Sequence, residues 1–432
     1  MTHPSRQAVA LKQLDRYWPQ GEEHIAKLPM PSLPVPHQET LPPRLVSIVL
    51  PEWAESISTQ HGILVPEHCT SAACVWEDTD WLGTAFWYIN CIAEQAEEKI
   101  SGPIHSYSFK LKGWDPRHWE NAWANRIALF LRRWAAHIQQ QDETQLFGPL
   151  PEPEIIITHD VDAVEITLPI RLKQLAFCGF NTLRALASGD MHRAMNRMKQ
   201  GLRFLSFGRQ HQFLDEVAQL ESRFGLNSVF LFSGSPAPSL FRTPASWVFD
   251  PAYDCRTDRV KEAILRILDR NEAGVHPAFS SWNNAQMIAD ERTAVTQATG
   301  QPPRFIRQHW LRFSFEKTWS IQAQAGFETD LTLGFNDRQG FRNGAALSVR
   351  PWSSTEDRQH TISSVPLTLM DSHLYDYSDL EPQERMARIS AIIREVRSVH
   401  GVASVLWHPH TIGKEYGWKD GFLELLETIA AR

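Results

Sequence analysis

The feature that most constrains the fold of this chain is an alternation of short apolar runs with helical segments, which begins at Ile155 and continues almost to the end. The runs are rich in β-branched residues, and several helical segments end at a glycine such as Gly300. This alternation is typical of a parallel β-sheet whose strands are connected by helices. The predicted strands are Ile155–Thr158, Ser228–Phe232, Ala273–His276, Arg304–Arg307, Thr329–Leu333, Val365–Met370 and Ala403–Trp407.

Seven predicted strands are too many for a small flavodoxin-like sheet and favour a (β/α) barrel. In such barrels the chemistry gathers at the carboxyl ends of the strands. Polar side chains of this sequence lie at or just after the predicted strand ends, and they are Asp160, Asp162, Ser233, His276, His309, Asp371 and His408. The sequence therefore predicts a site built from several strand ends.

The first 150 residues lack this alternation, and the length of 432 residues favours two domains over one. A proline-rich start is followed by strand-like Leu45–Leu50 and by helical patterns over Trp81–Glu97 and Trp119–Gln140. We predict a smaller α/β domain at 1–150 and a barrel domain at 151–432, joined by a linker at Phe147–Pro153. The tryptophans of the first domain are expected in its core rather than in a sugar-stacking platform. They include Trp114, Trp119, Trp123 and Trp134.

Charge and cysteine content exclude several classes of protein. A net charge of −7 argues against nucleic acid as a partner. The five cysteines are odd in number and lack a CxxC spacing, which indicates reduced thiols and a cytoplasmic protein. Neither a secretory signal nor an apolar run of membrane-spanning length is apparent, and the oligomeric state is left open.

The first predicted strand ends in Thr158-His-Asp-Val-Asp162, which places two carboxylates two residues apart. Because alternate side chains of a strand share a face, Asp160 and Asp162 are expected on the same side. Two neighbouring carboxylates repel each other unless a cation or a shared proton compensates, which favours a metal-assisted site. The alternative is that both aspartates only cap a following helix or turn.

These residues resemble the first motif of the polysaccharide deacetylase superfamily, carbohydrate esterase family 4. Later motifs of that family have counterparts in the same order, and these are Gly274-Val-His276, Arg307-Gln-His-Trp310, Asp330 and Leu406-Trp-His408. The resemblance covers about 155–432. The run from Arg307 to Phe313 further resembles a bacterial subgroup that has an additional amino-terminal domain and often accompanies surface-polysaccharide synthesis.

The resemblance implies a deformed (β/α)7 barrel with a divalent cation, usually zinc, which activates water and polarises an acetyl carbonyl. It implies Asp160 as general base and His408 as the acid that protonates the leaving group, with Arg307 and Asp330 orienting these two residues. Asp162 and His276 are implied as metal ligands. The alternative for His408 is a histidine satisfied inside the core.

Two departures from the family pattern leave alternatives open. Ser280 stands where the family has a second metal-binding histidine, and a hydroxyl is a poor zinc ligand. The site is then weaker, or water fills the position, or His309 supplies the missing ligand. The second departure is His410, which shares strand spacing with His408 and is an alternative acid.

An insertion at about 163–212 contains eight lysines and arginines against Glu165 and Asp190. Methionines and a leucine within it form a stripe at helical spacing beside basic residues. Such a helix suits either peripheral contact with an anionic membrane or a polyanionic glycan, or it packs across the barrel with its charges solvated.

Three functions remain from the sequence. The first is a metal-dependent deacetylase that acts on the N- or O-acetyl group of a sugar or glycan precursor. The second is a related hydrolase of another carbon–nitrogen bond, such as a cyclic amide. The third is a catalytically inactive barrel that binds glycan or serves as a scaffold.

Overall fold

The computed structural model describes residues 5–34, 36–166, 168–205, 213–236, 249–251 and 253–431. The α-helices of these residues are α1 (Arg6–Gln13), α2 (Glu22–Ala26), α3 (Trp81–Ile89), α4 (Ile92–Ser101), α5 (Trp123–Gln139), α6 (Glu143–Phe147), α7 (Leu168–Ala187), α8 (Met191–Arg203), α9 (Phe213–Arg223), α10 (Asp258–Ile267), α11 (Ala285–Thr299), α12 (Thr318–Gln324), α13 (Asp371–Tyr375), α14 (Pro382–Ser398) and α15 (Lys419–Ala430). The strands are β1 (Leu45–Ile48), β2 (Ile63–Pro66), β3 (Glu154–Val161), β4 (Ser228–Phe232), β5 (Glu272–Val275), β6 (Phe305–Ile306), β7 (Thr329–Asp330), β8 (Trp352–Ser353), β9 (Arg358–Gln359), β10 (Ser363–Ser364), β11 (Leu367–Met370) and β12 (Val402–Leu406).

Eight strands form one parallel sheet in the order β10-β7-β6-β5-β4-β3-β12-β11. The prediction of a parallel sheet within a mixed α/β fold is therefore confirmed. Its two edge strands, β10 and β11, are consecutive in the chain and are separated only by Val365 and Pro366. The sheet must curl strongly for one edge to continue directly into the other.

The side chains of the strands sort into two apolar layers. In β4, Val229 and Leu231 belong to an inner cluster with Phe305 and Leu331, whereas the alternate residue Phe230 packs in an outer cluster with the helices. A strand buried on both faces needs apolar residues at every position, which explains why β4 is a continuous apolar run. The curl leaves the carboxyl ends of the strands as the place where polar side chains converge.

Residues 5–150 build a second core, which is rich in tryptophan and mainly helical around the two-stranded antiparallel sheet β1–β2. All four tryptophans singled out from the sequence are buried there, as predicted for core residues. The predicted helix Trp81–Glu97 is in fact two helices, α3 and α4. The chain breaks between them because Cys91 adopts a left-handed conformation with φ of 49°.

The amino-terminal core also contains side chains from the segment that follows β7. These are Phe335, Ala345, Leu347, Val349 and Trp352. A buried ion pair of 2.7 Å joins Glu94 of α4 to Arg342 in the same segment. The residues on either side of position 150 therefore share one apolar core, and the predicted boundary between two domains stays a prediction.

The predicted insertion contains a helical hairpin formed by α7 and α8. Gly201 of α8 lies so close to α7 that an added Cβ atom would be 3.1 Å from the Cβ atom of Cys178. The last part of the predicted insertion, 206–212, lies outside the described residues. Within the described ranges, no helix combines the length and apolar character needed to cross a membrane.

Candidate metal centre

Strand β3 brings both predicted aspartates to the carboxyl edge of the sheet. It lies between β4 and β12, so its end is surrounded by neighbouring strand ends. Asp160 is buried within the strand, whereas Asp162, just beyond it, keeps 31% of its side chain exposed. Asp162 is thus the aspartate that solvent can reach.

Asp162 faces two histidines that follow the second and third strands from β3 in the sheet. His276 follows β5 and His309 follows β6, and the Nε2 atom of each ring lies 3.4 Å from Oδ1 of Asp162. One ligand atom from each of the three residues lies within 4.8 Å of the other two. The structure therefore brings together the three residues expected to hold a cation.

A hydrogen bond at the other ring nitrogen of His276 leaves its ligand atom free. His276 Nδ1 lies 2.9 Å from the carbonyl oxygen of Arg307, so we assign the ring proton to Nδ1 and the lone pair to Nε2. Oδ1 of Asp162 is buried and has no hydrogen-bond partner among the described residues. Burial opposes ionisation of Asp162, yet its contacts with His276 and His309 hold the pKa of this carboxyl well below its usual value.

The spacing fits a tetrahedrally coordinated cation. Ligand atoms at about 2.05 Å from such a cation lie about 3.3–3.4 Å apart. The two separations of 3.4 Å from Asp162 match this value and are too long for good hydrogen bonds. Two histidines and one carboxylate, with a position left for water, form a ligand set that zinc, iron or manganese accepts.

Ser280 is exposed, whereas His309 is buried beside His276 with ring centroids 4.6 Å apart. Of the three alternatives left open by the sequence, this placement favours His309 as the third ligand. A neighbouring strand thus offers the group that the loop after β5 lacks.

Asp160 is held by the arginine predicted to orient it. Nη1 of the buried Arg307 donates a hydrogen bond of 2.9 Å to Oδ1 of Asp160, and its Nε donates to the carbonyl oxygen of Leu331. The other oxygen of Asp160 lies 3.7 Å from Nδ1 of His276. The carboxylate is therefore fixed in orientation beside the ligand cluster.

On the opposite side, His408 follows β12 and points its Nε2 to within 3.7 Å of Oδ2 of Asp162. Its Nδ1 donates a hydrogen bond of 2.8 Å to Asp371, the residue that begins α13. The backbone N–H of His408 and the hydroxyl of Thr411 donate to the second oxygen of Asp371. Burial alone would lower the pKa of His408, but the carboxylates around it, Asp371 first and then Asp162 and Asp160, together raise the pKa to about 10.

His410, the alternative acid, packs its ring edge-on against Tyr416, with ring centroids 5.1 Å apart. His408, in contrast, places its Nε2 3.7 Å from Oδ2 of Asp162. The geometry therefore favours His408 as the residue that faces the cluster.

Asp330 differs from its expected place. Its carboxylate accepts hydrogen bonds from Trp319 Nε1 at 3.1 Å, from Gln322 Nε2 at 2.9 Å and from the hydroxyl of Thr332. Thr332 in turn accepts a hydrogen bond from the backbone N–H of Gln308. Asp330 thus supports the segment before His309 and is not bonded to His408 in the described structure.

Asp371 is the residue whose role the sequence analysis missed. The available signal was its position directly after a predicted strand, shared with the other polar residues of the site. Its pairing with His408 joins positions that lie 37 residues apart, and no local spacing indicates such a contact.

The loop after His309 has an unusual backbone. Trp310 and Leu311 both have left-handed conformations, with φ of 56° and 45°. Each left-handed residue raises the free energy of the folded state by on the order of 1–3 kcal/mol, so contacts around it must hold the chain in this conformation. Such residues are often found at functional sites. Asn336 Nδ2 and Ser106 Oγ both donate to the carbonyl oxygen of Trp310, so the segment after β7 and the amino-terminal region both hold the loop.

Neither a protein-family model nor a curated protein sequence matches this chain. Similar solved structures include a proposed polysaccharide deacetylase from Mycobacterium smegmatis, with a TM-score of 0.38 and 15% identity over 64% of this chain and 84% of that one. A peptidoglycan N-acetylglucosamine deacetylase has a TM-score of 0.29 and 12% identity over 66% and 86% of the two chains. A carbohydrate esterase family 4 pseudoenzyme from Bacillus anthracis has a TM-score of 0.28 and 11% identity over 65% and 60%. These values are too low to transfer an activity.

Proposed function

We propose that this protein is a metal-dependent hydrolase that removes an N- or O-acetyl group from a sugar or glycan precursor. The observation that carries the proposal is the convergence of Asp162, His276 and His309, with 3.4 Å between Oδ1 of the aspartate and each histidine Nε2. We interpret the curled sheet as a deformed (β/α) barrel of the kind that the sequence motifs imply, with eight strands in place of the expected seven.

The three converging residues are the proposed ligands of a divalent cation, for which zinc is the first candidate. A cation at this position lowers the pKa of water and polarises the acetyl carbonyl. The remaining chemistry is assigned to residues around the ligands.

Asp160 is the proposed general base. Its carboxylate is buried next to the ligand cluster, and Arg307 fixes one of its oxygens at 2.9 Å. In this role it accepts a proton from the water that attacks the acetyl carbon. Arg307 is a positioning residue, because its contacts reach the carboxylate and the backbone rather than the opening.

His408 is the proposed general acid. The hydrogen bond from its Nδ1 to Asp371 fixes the ring, so that Nε2 faces the cluster and donates the proton. When the carbon–nitrogen or carbon–oxygen bond of the acetyl group breaks, the departing amine or alcohol takes this proton and acetate remains. Asp371 stabilises the charged imidazolium before the transfer.

Two kinds of observation support a glycan substrate. The ordered motifs of the sequence resemble polysaccharide deacetylases, and a half-buried aromatic residue, Trp310, follows the ligand His309 directly. A tryptophan offers a large apolar face together with an N–H donor, which suits contact with a sugar ring. We further propose a role in bacterial surface-polysaccharide metabolism on the cytoplasmic side.

The decisive experiment combines metal analysis with acetate release. Protein purified without chelators should contain about one divalent cation per chain, and it should release acetate from at least one member of a panel of N- and O-acetylated sugars. The His309→Ala variant should lose both properties, whereas Ser280→Ala, an exposed matched control, should keep both. Bound cation with hydrolysis only of cyclic amides would replace the deacetylase by a related hydrolase. Absence of any bound cation would identify an inactive barrel.

A further inference from the structure

The α7–α8 hairpin has a large exposed apolar surface that is separate from the candidate metal centre. Large apolar side chains of the hairpin are between 44% and 67% exposed, although residues of this kind are normally buried. They are Leu172, Phe177, Phe180, Leu183, Leu186, Met191, Met195, Met198, Leu202 and Leu205. An exposed patch of this extent indicates a surface that is covered in the working protein.

In α8 the exposed and buried residues form two distinct faces. Ala194 and Arg197, together with Phe204 just after the helix, are buried against the rest of the protein. The stripe made of Met191, Met195, Met198 and Leu202 recurs at spacings of four, three and four residues and is exposed along its whole length. The stripe therefore does not pack across the barrel, which was one of the alternatives from the sequence.

The hairpin is also basic within an acidic protein. Residues 168–205 contain seven lysines and arginines and one acidic residue, Asp190, which leaves 36 basic and 49 acidic residues in the rest of the chain. Arg184, Lys199 and Arg203 are exposed around the apolar residues. Apolar side chains flanked by cations match a surface that is apolar below and anionic above, as in a bilayer with acidic headgroups.

A second copy of this chain fits the hairpin less well. A symmetric dimer places the same patch on both sides of the interface, so two basic hairpins would meet. Like charges opposed in this way disfavour the contact. The charge of the hairpin thus favours an anionic partner over a copy of itself.

Two arginines fix the hairpin beside the candidate metal centre. Arg171 of α7 contacts Glu415 at 3.0 Å, and Arg197 of α8 donates at 3.0 Å to the carbonyl oxygen of Asp376, just after α13. Phe204 packs edge-on against Tyr416, with ring centroids 5.0 Å apart. These contacts all lie in the segments that follow β11 and β12, which are the strands that precede Asp371 and His408.

We propose that the α7–α8 hairpin is a docking surface for an anionic lipid bilayer, on which α7 and α8 lie in the plane of the headgroups with their apolar side chains inserted. The hairpin rests on the surface rather than spanning the membrane. Its contacts lie in the segments that follow β11 and β12, at the end of the sheet that also holds the metal centre. The proposal concerns lipid binding alone and is independent of the hydrolase assignment.

The experiment measures binding of the full-length protein to vesicles of phosphatidylcholine with and without phosphatidylglycerol. We expect binding to the anionic vesicles only, with weakening at high salt. The triple variant Met195→Gln, Met198→Gln, Leu202→Gln should weaken binding at least about tenfold, because it removes the inserted side chains. The triple variant Arg184→Gln, Lys199→Gln, Arg203→Gln should weaken it by about fivefold for each cation removed.

A matched control carries Ile138→Gln, Leu265→Gln and Met386→Gln, three apolar residues exposed to a similar degree elsewhere. It should bind within about twofold of the unchanged protein, and thermal unfolding should be alike for all variants because every substituted side chain is exposed. The proposal is overturned if the unchanged protein does not bind anionic vesicles, or if the hairpin variants and the control variant weaken binding equally. A dimer that the methionine variant dissociates, without vesicle binding, would instead assign the surface to a second copy.

Discussion

Two carboxylates of the candidate metal centre face histidines in different ways. Asp162 lies 3.4 Å from the Nε2 atoms of His276 and His309, and its Oδ1 has no hydrogen-bond partner among the described residues. Asp371 lies 2.8 Å from Nδ1 of His408 and accepts three further hydrogen bonds, from the backbone N–H groups of His408 and Ser372 and from the hydroxyl of Thr411. Among the described residues, one oxygen of Asp162 therefore lacks a hydrogen bond, whereas both oxygens of Asp371 accept them.

This difference separates a ligand from a positioning residue. A buried oxygen without a hydrogen bond is costly, so its persistence indicates a partner that the polypeptide does not supply. The oxygens of Asp371 are occupied by hydrogen bonds and are not available to a cation, and its negative charge stabilises the imidazole of His408. The comparison therefore predicts that changes at the two aspartates affect different measurable properties.

The largest effect is expected for Asp162→Asn. Removing the anionic ligand should weaken cation binding more than about a hundredfold, and turnover should fall with metal content. Metal analysis and acetate release in parallel measure this, and excess zinc, manganese or cobalt should partly restore activity. Full metal content in the variant would contradict the assignment of Asp162 as a ligand.

Asp160→Asn should lower turnover by about a hundredfold while metal content stays unchanged, because this residue moves a proton and binds no cation. Metal analysis of the same preparation serves as the internal control. If the variant loses its cation to the same extent as Asp162→Asn, both aspartates are ligands. His408 would then be the first candidate for the base.

Asp371→Asn should lower turnover by about tenfold to a hundredfold, again with the cation retained. The asparagine keeps one accepting oxygen, places an NH2 group where the second oxygen accepted, and offers no charge to His408, so the acid is less well oriented and stabilised. Asp330→Asn is the matched comparison, because Asp330 is equally buried but bonded to Trp319 and Gln322. An equal loss in both variants, with equal loss of stability, would reduce Asp371 to a structural role.

The smallest effect is expected for Ser280→Ala. Its side chain is exposed, so metal content and turnover should each change less than about twofold. A large loss of cation in this variant would show that Ser280 completes the ligand set through water, and His309 would no longer be needed as the third ligand.

Much of this site follows from local sequence, because strand ends and residue alternation are local properties. The apolar run Ile155–Thr158 predicts a strand that ends near Asp160 and Asp162, and the structure contains this strand as β3. The polar residues after β5, β6 and β12 were likewise predicted at strand ends. For these elements a few adjacent residues carry the information.

Other features depend on partners far along the chain and were not predictable. Asp371 and His408 meet only because β11 pairs with β12. Nothing in the local sequence predicts the left-handed backbone at Trp310, because tryptophan rarely adopts this conformation. The break at Cys91, inside a pattern that reads as one helix, is likewise set by tertiary packing rather than by propensity.

The shared core between residues 5–150 and the segment around Trp352 has a consequence for the order in which the protein is made. Phe147 leaves the ribosome roughly 190 residues before Phe335, so at usual elongation rates the tryptophan-rich core waits about 10–40 s for its missing side chains. During that interval its apolar surface is open to other nascent chains. A fragment that stops after position 150 should therefore aggregate, and the intact chain should depend on chaperones until the segment from Phe335 to Trp352 arrives.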